Sequence, residues 1–170
     1  MLTTDDMLSR VRLVDLYPPF AATLRLLVAR CRDRGALYVC TSGLRSYAEQ
    51  DKIYAQGRTT PGGIVTKAKA GYSLHNFGIS ADFSRDRDDN AGRPGLKIDD
   101  RESQYVVLAE EAEKLGLESG LRWRTFVDPN HVQLPITKHG IDLVRLRREL
   151  VLGDYQTLYR FLDSITWFAT

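Results

Sequence analysis

The sequence is short of the residues that carry most site chemistry. It holds two cysteines, two methionines, two tryptophans and three histidines in 170 residues. Two thiols, Cys31 and Cys40, are too few for a disulfide scaffold and poorly spaced for a zinc knuckle. No apolar run approaches the roughly 20 residues that cross a bilayer, which predicts no membrane insertion. The opening residues, Met1 to Asp6, are acidic and lack the basic-then-apolar pattern of a secretory signal. Synthesis in the cytoplasm without a signal peptide is the resulting expectation. A dominant charge is also missing: 24 basic side chains offset 22 acidic ones, leaving +2. That excludes bulk electrostatic binding to nucleic acid or an anionic membrane. Repeats and low-complexity tracts are absent as well, which excludes a solenoid.

What is present is an ordinary globular composition, 43% hydrophobic and 27% charged, in a chain long enough to bury one core. One domain over residues 1–170 is expected, a monomer, with residues 138–170 a helical completion of it. Thr3 or Thr4 opens a short helix reaching about Val14, and Pro18-Pro19 starts a longer amphipathic one that Gly35 ends. Residues 36–41 are β-prone and read as a buried strand. Ser46 caps a helix to about Gln56, and Gly57 to Gly71 reads as a long, mobile loop. A strand follows from Gly78 to Ser84, a charged connection from Arg85 to Pro94, and an amphipathic helix from Glu102 to Leu115. A strand approach from Phe126 to Leu134 is broken at Asp128-Pro129-Asn130. Two helices, near Lys138 to Leu150 and Asp154 to Phe168, complete the chain. Strands and helices mix without regular alternation, so the fold class is α+β.

Because histidine is scarce, any histidine-based site must draw on His75, His131 or His139. A catalytic zinc has three protein ligands from histidine and carboxylate and one open position. His75 and Asp82 are seven residues apart, with Gly78 between them to permit a tight bend. A loop histidine and a strand-end aspartate without metal fit that spacing too, and from spacing alone this is the stronger reading. Asp128-Pro129-Asn130-His131 adds a carboxylate three residues before a histidine. In a bent segment both can converge on one ion, with the carboxylate placed to take a proton from activated water. Asp-Pro is equally a common turn, and His131 a satisfied strand residue. His139 precedes Gly140 at a helix entry and reads as a surface or capping residue. Arg45 follows the Gly43 turn and suits either a guanidinium aimed across a cleft or a surface ion pair. Asp86, Asp88 and Asp89 lack the glycine and terminal glutamate of an EF-hand and read as a solvated acidic loop.

Taken together, Ser73-x-His75-x-x-Gly78-x-x-x-Asp82, Trp123 and Asp128-x-x-His131 resemble the zinc peptidases of bacterial cell wall. These are the D-alanyl-D-alanine and L-alanyl-D-glutamate peptidases that share a fold with the hedgehog signalling domain. Gly43-Leu44-Arg45-Ser46 with Gln50, the 57–73 segment and Leu115-Gly116-Leu117-Glu118 are similar to the L-alanyl-D-glutamate endopeptidase branch, which includes phage endolysins. The likeness runs from about residue 10 to 135 in the expected order.

The resemblance implies a hedgehog/DD-peptidase-like fold, a small antiparallel sheet flanked by helices. It implies one zinc ion per chain held by His75, Asp82 and His131, with Asp128 as general base and Arg45 binding and polarising substrate. Gln50, Tyr72, Ser73 and Trp123 are the further substrate-binding candidates, although core packing is an equal reading of Trp123. The partner implied is the peptidoglycan stem peptide, met at the cell wall after release or delivery. Ser80 stands where alanine is usual, and Asn130 and Val132 where proline and an aromatic are common. The competing activities are a D-alanyl-D-alanine carboxypeptidase and, in another class, a zinc-stabilised binding module without catalysis. A structural zinc would need a fourth protein ligand, and only three are named.

Overall fold

A computed structural model describes residues 3–85, 103–151 and 154–167. The acidic loop of Asp86, Asp88 and Asp89 lies outside the described residues. Helix α1 (Thr4–Leu8) opens with a reciprocal capping box between Thr3 and Asp6. It is shorter than the sequence predicts, because the Ser9 hydroxyl donates to the Asp6 carbonyl and closes the last turn (2.8 Å). A 3-10 turn over Leu13–Asp15 leads into α2 (Pro18–Asp33), which has proline in its first turn. Its apolar stripe, Phe20, Leu24, Leu27, Val28 and Cys31, is fully buried. Ser46 caps α3 (Tyr47–Ala55) by a second capping box with Glu49. Helix α4 (Val106–Lys114) follows a 3-10 turn, and α5 (Leu143–Val151) and α6 (Tyr155–Asp163) end the described chain.

Four short strands, β1 (Tyr38–Ser42), β2 (Ser80–Arg85), β3 (Glu118–Ser119) and β4 (His131–Gln133), form one sheet in the order β1-β2-β4-β3. Every pairing is antiparallel, so the class is α+β as predicted. The sheet has two faces with different chemistry. Ala81, Phe83 and Val132 point to the core and are completely buried. Asp82 lies directly opposite His131 on β4 and opposite Ser42 on β1, at a bulge that skips Thr41. Three strands thereby set one polar row across the sheet.

One hydrophobic cluster joins α1, α2, the sheet, α4 and the last two helices, and includes Leu146, Leu158, Leu162 and Trp167. The 57–71 segment has little regular structure, yet it is tied down rather than loose. Gln50 donates to the Ala68 carbonyl (2.7 Å), Asp51 accepts from Ala70 N–H (3.1 Å), and Asn76 accepts from Gly71 N–H (2.9 Å).

Helix α6 also clamps the turn that leads into β2. The Tyr155 hydroxyl donates to the Asn76 carbonyl (3.0 Å), and the Tyr159 hydroxyl donates to the Asp15 carbonyl (2.7 Å). Tyr159 can lie there only because Gly78 has no side chain: a Cβ would stand 2.3 Å from its hydroxyl. Gly78 also has φ +69°, a conformation that costs other residues about 1–2 kcal/mol. Gly78→Ala is therefore expected to lose about 2–4 kcal/mol of stability by urea denaturation, strain and overpacking adding. A loss below roughly 1 kcal/mol would mean that the α6 clamp yields freely.

Candidate metal centre and cleft

The turn that carries His75 is built by its neighbours. A 3-10 turn over Leu74–Phe77 ends at the left-handed Gly78. Arg45 N–H donates to the His75 carbonyl (3.0 Å), and the fully buried Asn76 amide donates to the Arg45 carbonyl (2.8 Å). The segment from Gly43 to Ser46 and the histidine turn are thus stapled together. His75 projects against β2, where Asp82 meets it, and His131 arrives from β4 on the other side. One ligand atom from each of the three lies within 4.8 Å of the others.

Hydrogen bonding decides how the two imidazoles are oriented. His75 Nδ1 lies 2.7 Å from the Gly43 carbonyl, which can only accept. Nδ1 therefore carries the proton, and Nε2 turns a lone pair toward Asp82 at 3.2 Å. His131 Nε2 lies 3.0 Å from the Gln133 side-chain oxygen, whose amide nitrogen donates to Glu118 (2.9 Å). Glu118 fixes the amide, the amide fixes the imidazole, and His131 Nδ1 turns its lone pair toward Asp82 at 2.9 Å. Two nitrogen lone pairs and a carboxylate converge on one point. Such a set repels itself unless a cation or a proton sits between, so the donors fit a metal. The separations of 3.2 and 2.9 Å are near the edge of about 3.4 Å expected of a tetrahedron with bonds of about 2.1 Å.

Electrostatics report the same crowding. Burial opposes ionisation of Asp82, yet the two histidines outweigh it and hold its carboxyl far below the usual carboxylate range. Burial likewise opposes charge on His131, but Asp82, Asp128 and Gln133 together raise its pKa above 6.5.

Other residues line a cleft of about 940 Å³ around this point. Arg45, Tyr72, Ser73, Trp123 and Asp128 all line it. Trp123 stands 5.2 Å from the His131 ring, on the cleft rather than in the core. Arg45 is held by Gln50 (2.9 Å) and Ser42 (2.8 Å), with its guanidinium 3.7 Å from Asp82. Asp128 is fixed through its backbone: its N–H donates to Gly120 (3.0 Å), and its carbonyl accepts from His131 N–H (3.1 Å). A Cβ on Gly120 would lie 2.3 Å from the Asp128 carbonyl, so only glycine allows this approach.

Gln50 differs from expectation. It is fully buried beneath the cleft, and its amide bridges Arg45 to the Ala68 carbonyl. It is not among the residues that line the cleft, and its amide is taken up by Arg45 and Ala68. His139 is exposed, edge-on to Trp167 at 5.0 Å and outside the cleft lining, as the sequence predicts. Ser80, standing where alanine is usual, keeps a buried hydroxyl with no partner among the described residues. Gln133, Glu118 and Asn76 were not legible as site residues. Gln133 offers one signal only, its place two residues after His131 on the same strand face.

Residues 14–123 match the VanY family, described as D-alanyl-D-alanine carboxypeptidase. The chain belongs to that family. It is 36% identical over 123 residues to the peptidoglycan L-alanyl-D-glutamate endopeptidase CwlK of Bacillus subtilis (strain 168), spanning 71% of this chain and 74% of the relative. The crystal structure of the Serratia marcescens L-Ala D-Glu endopeptidase ChiX matches 76% of this chain and 87% of its own, at 21% identity and a TM-score of 0.47.

Two outcomes are expected at the centre of this VanY-family chain. A folded-state pKa raised above the unfolded one contributes stability below the unfolded value and loses it as pH rises through the folded value. Metal must displace that proton from His131, so stabilisation by metal runs the opposite way. The rise in Tm on adding zinc should be larger at about pH 8 than at about pH 6, read by scanning calorimetry; equal rises would contradict the raised His131 pKa. Gln133→Met frees the His131 tautomer and should weaken metal affinity about 10–100-fold in chelator competition.

Proposed function

We propose that this chain is a zinc-dependent peptidoglycan endopeptidase that hydrolyses the L-alanyl-D-glutamate bond of the stem peptide. The observation that carries the reading is the convergence of His75, Asp82 and His131 lone pairs on the floor of a peptide-sized cleft. The choice of bond is supported by the 36% identity to CwlK. Residues 1–170 are read as one catalytic domain, which residues 138–170 complete.

His75, Asp82 and His131 would hold one zinc ion. Zinc when bound supplies Lewis-acid polarisation of the scissile carbonyl and makes water easier to deprotonate. Asp128, half-buried on the cleft wall, takes the proton of the attacking water and returns it to the leaving amine. Arg45 offers charge to the developing oxyanion or to a substrate carboxylate, and Gln50 and Ser42 keep its fork from swinging away. Trp123, Tyr72 and Ser73 form the walls against which the peptide lies.

A second reading, a D-alanyl-D-alanine carboxypeptidase, is supported by the description of the family that residues 14–123 match. A binding module without catalysis has no use for Asp128 and Arg45 on the cleft. Digestion of purified peptidoglycan, with and without chelator, separates the three by mass spectrometry of the new termini. A free D-glutamate amine, lost on chelation, is expected; released D-alanine favours the second reading, and no cleavage by the zinc-loaded protein favours the third. Asp128→Asn should keep its zinc by metal analysis while losing at least about 100-fold in kcat. Full activity of that variant would remove Asp128 from the mechanism.

A further inference from the structure

Helix α5 lies past residues 14–123, the part that matches the family, yet it walls the same cleft. Leu143, Val144 and Arg147 line it, one helical turn separating the first two from the third. Arg147 is half-buried, with its guanidinium 4.3 Å from the centre of the Tyr72 ring. Among the described residues its one hydrogen bond is long, 3.4 Å to the Gly71 carbonyl. Gly71 makes room for it: a Cβ there would stand 3.0 Å from Arg147 Cδ. Among the described residues no carboxylate pairs with Arg147, whereas Arg145, two residues earlier, is paired with Glu149 at 2.7 Å. Arg147 therefore faces a cleft with most of its five N–H donors uncommitted and its guanidinium resting on the tyrosine ring. That is a preorganised fork for a carboxylate.

We propose that Arg147 is a substrate-binding residue that holds a free carboxylate of the stem peptide. The inference rests on the stem-peptide reading above. A peptide whose D-glutamate is joined through its γ-carboxyl keeps an α-carboxylate free, and the next residue can carry another. Val65, Tyr72, Phe126 and Val144 leave much of the surrounding wall apolar and exposed, and besides Arg147 and Arg45 the other cation on the lining is Lys67, seated on Phe126 at 4.5 Å. Tyr72 then has two parts, wall of the cleft and platform for the guanidinium.

The test uses zinc-loaded protein and synthetic stem peptides that differ only in one carboxylate converted to its primary amide. The wild type should favour one free acid over its amide by about tenfold in kcat/KM, through KM. Arg147→Gln should abolish that preference while cleaving the amide as well as the wild type does. Arg147→Lys should restore part of it, and Arg148→Gln, which changes charge on the exposed face of the same helix, should leave it unchanged. Equal loss on acid and amide would show that Arg147 only holds α5 to the 57–71 segment, and an undiminished preference would exclude it from binding. If wild-type protein cuts none of the peptides, the bond assignment fails. Calorimetric titration of the same peptides into wild type and Arg147→Gln still decides the proposal, which stands only if the acid form alone binds more weakly to the variant.

Discussion

Three electron-pair donors aimed at one point are the constraint on which the site depends. Left alone, the lone pairs of His75 Nε2 and His131 Nδ1 would turn away from the Asp82 carboxylate. They are held inward because each ring has its other nitrogen committed, one to the Gly43 carbonyl and the other to an amide anchored by Glu118. The fold supports this frustrated arrangement with rigid parts. Two ligands sit opposite one another on paired strands, and the third rides a turn stapled to the β1–α3 connection and clamped by α6. Disturbing any of these parts lets a ring rotate and weakens the convergence of the three donors.

The final helices therefore have two duties. Helix α6 completes the core through Leu158 and Leu162, fixes the histidine turn through the Tyr155 hydroxyl on Asn76, and holds the Asp15 carbonyl through Tyr159. Helix α5 buries Leu146 on the same core and turns Arg147 toward the cleft. Stability and cleft shape are coupled here, since the surfaces that close the core also wall the cleft.

Much of the fold was legible because its signals are local. Ser46 with Glu49, Pro18-Pro19, Gly35 and Gly116 mark helix ends through their own backbone and capping preferences. The first helix was read too long because a hydroxyl at Ser9 competes for a carbonyl, a choice that composition does not reveal. The long loop was read as mobile because glycine and proline weaken local order. Its anchors, Gln50, Asp51 and Asn76, lie elsewhere in the chain.

The ligand candidates were legible for another reason: histidine is scarce, and two of the three histidines sit beside suitably spaced carboxylates. Residue types and spacing by themselves determined which atoms could bind a metal, several of the helix ends and the α+β class. Only the tertiary structure decided which way those atoms point. Tautomer, ring orientation and cleft shape depend on partners such as Gly43, Gln133, Glu118 and Arg147. The folded chain brings these together across long sequence separations, and hydrogen-bond directions and packing exist only once it does.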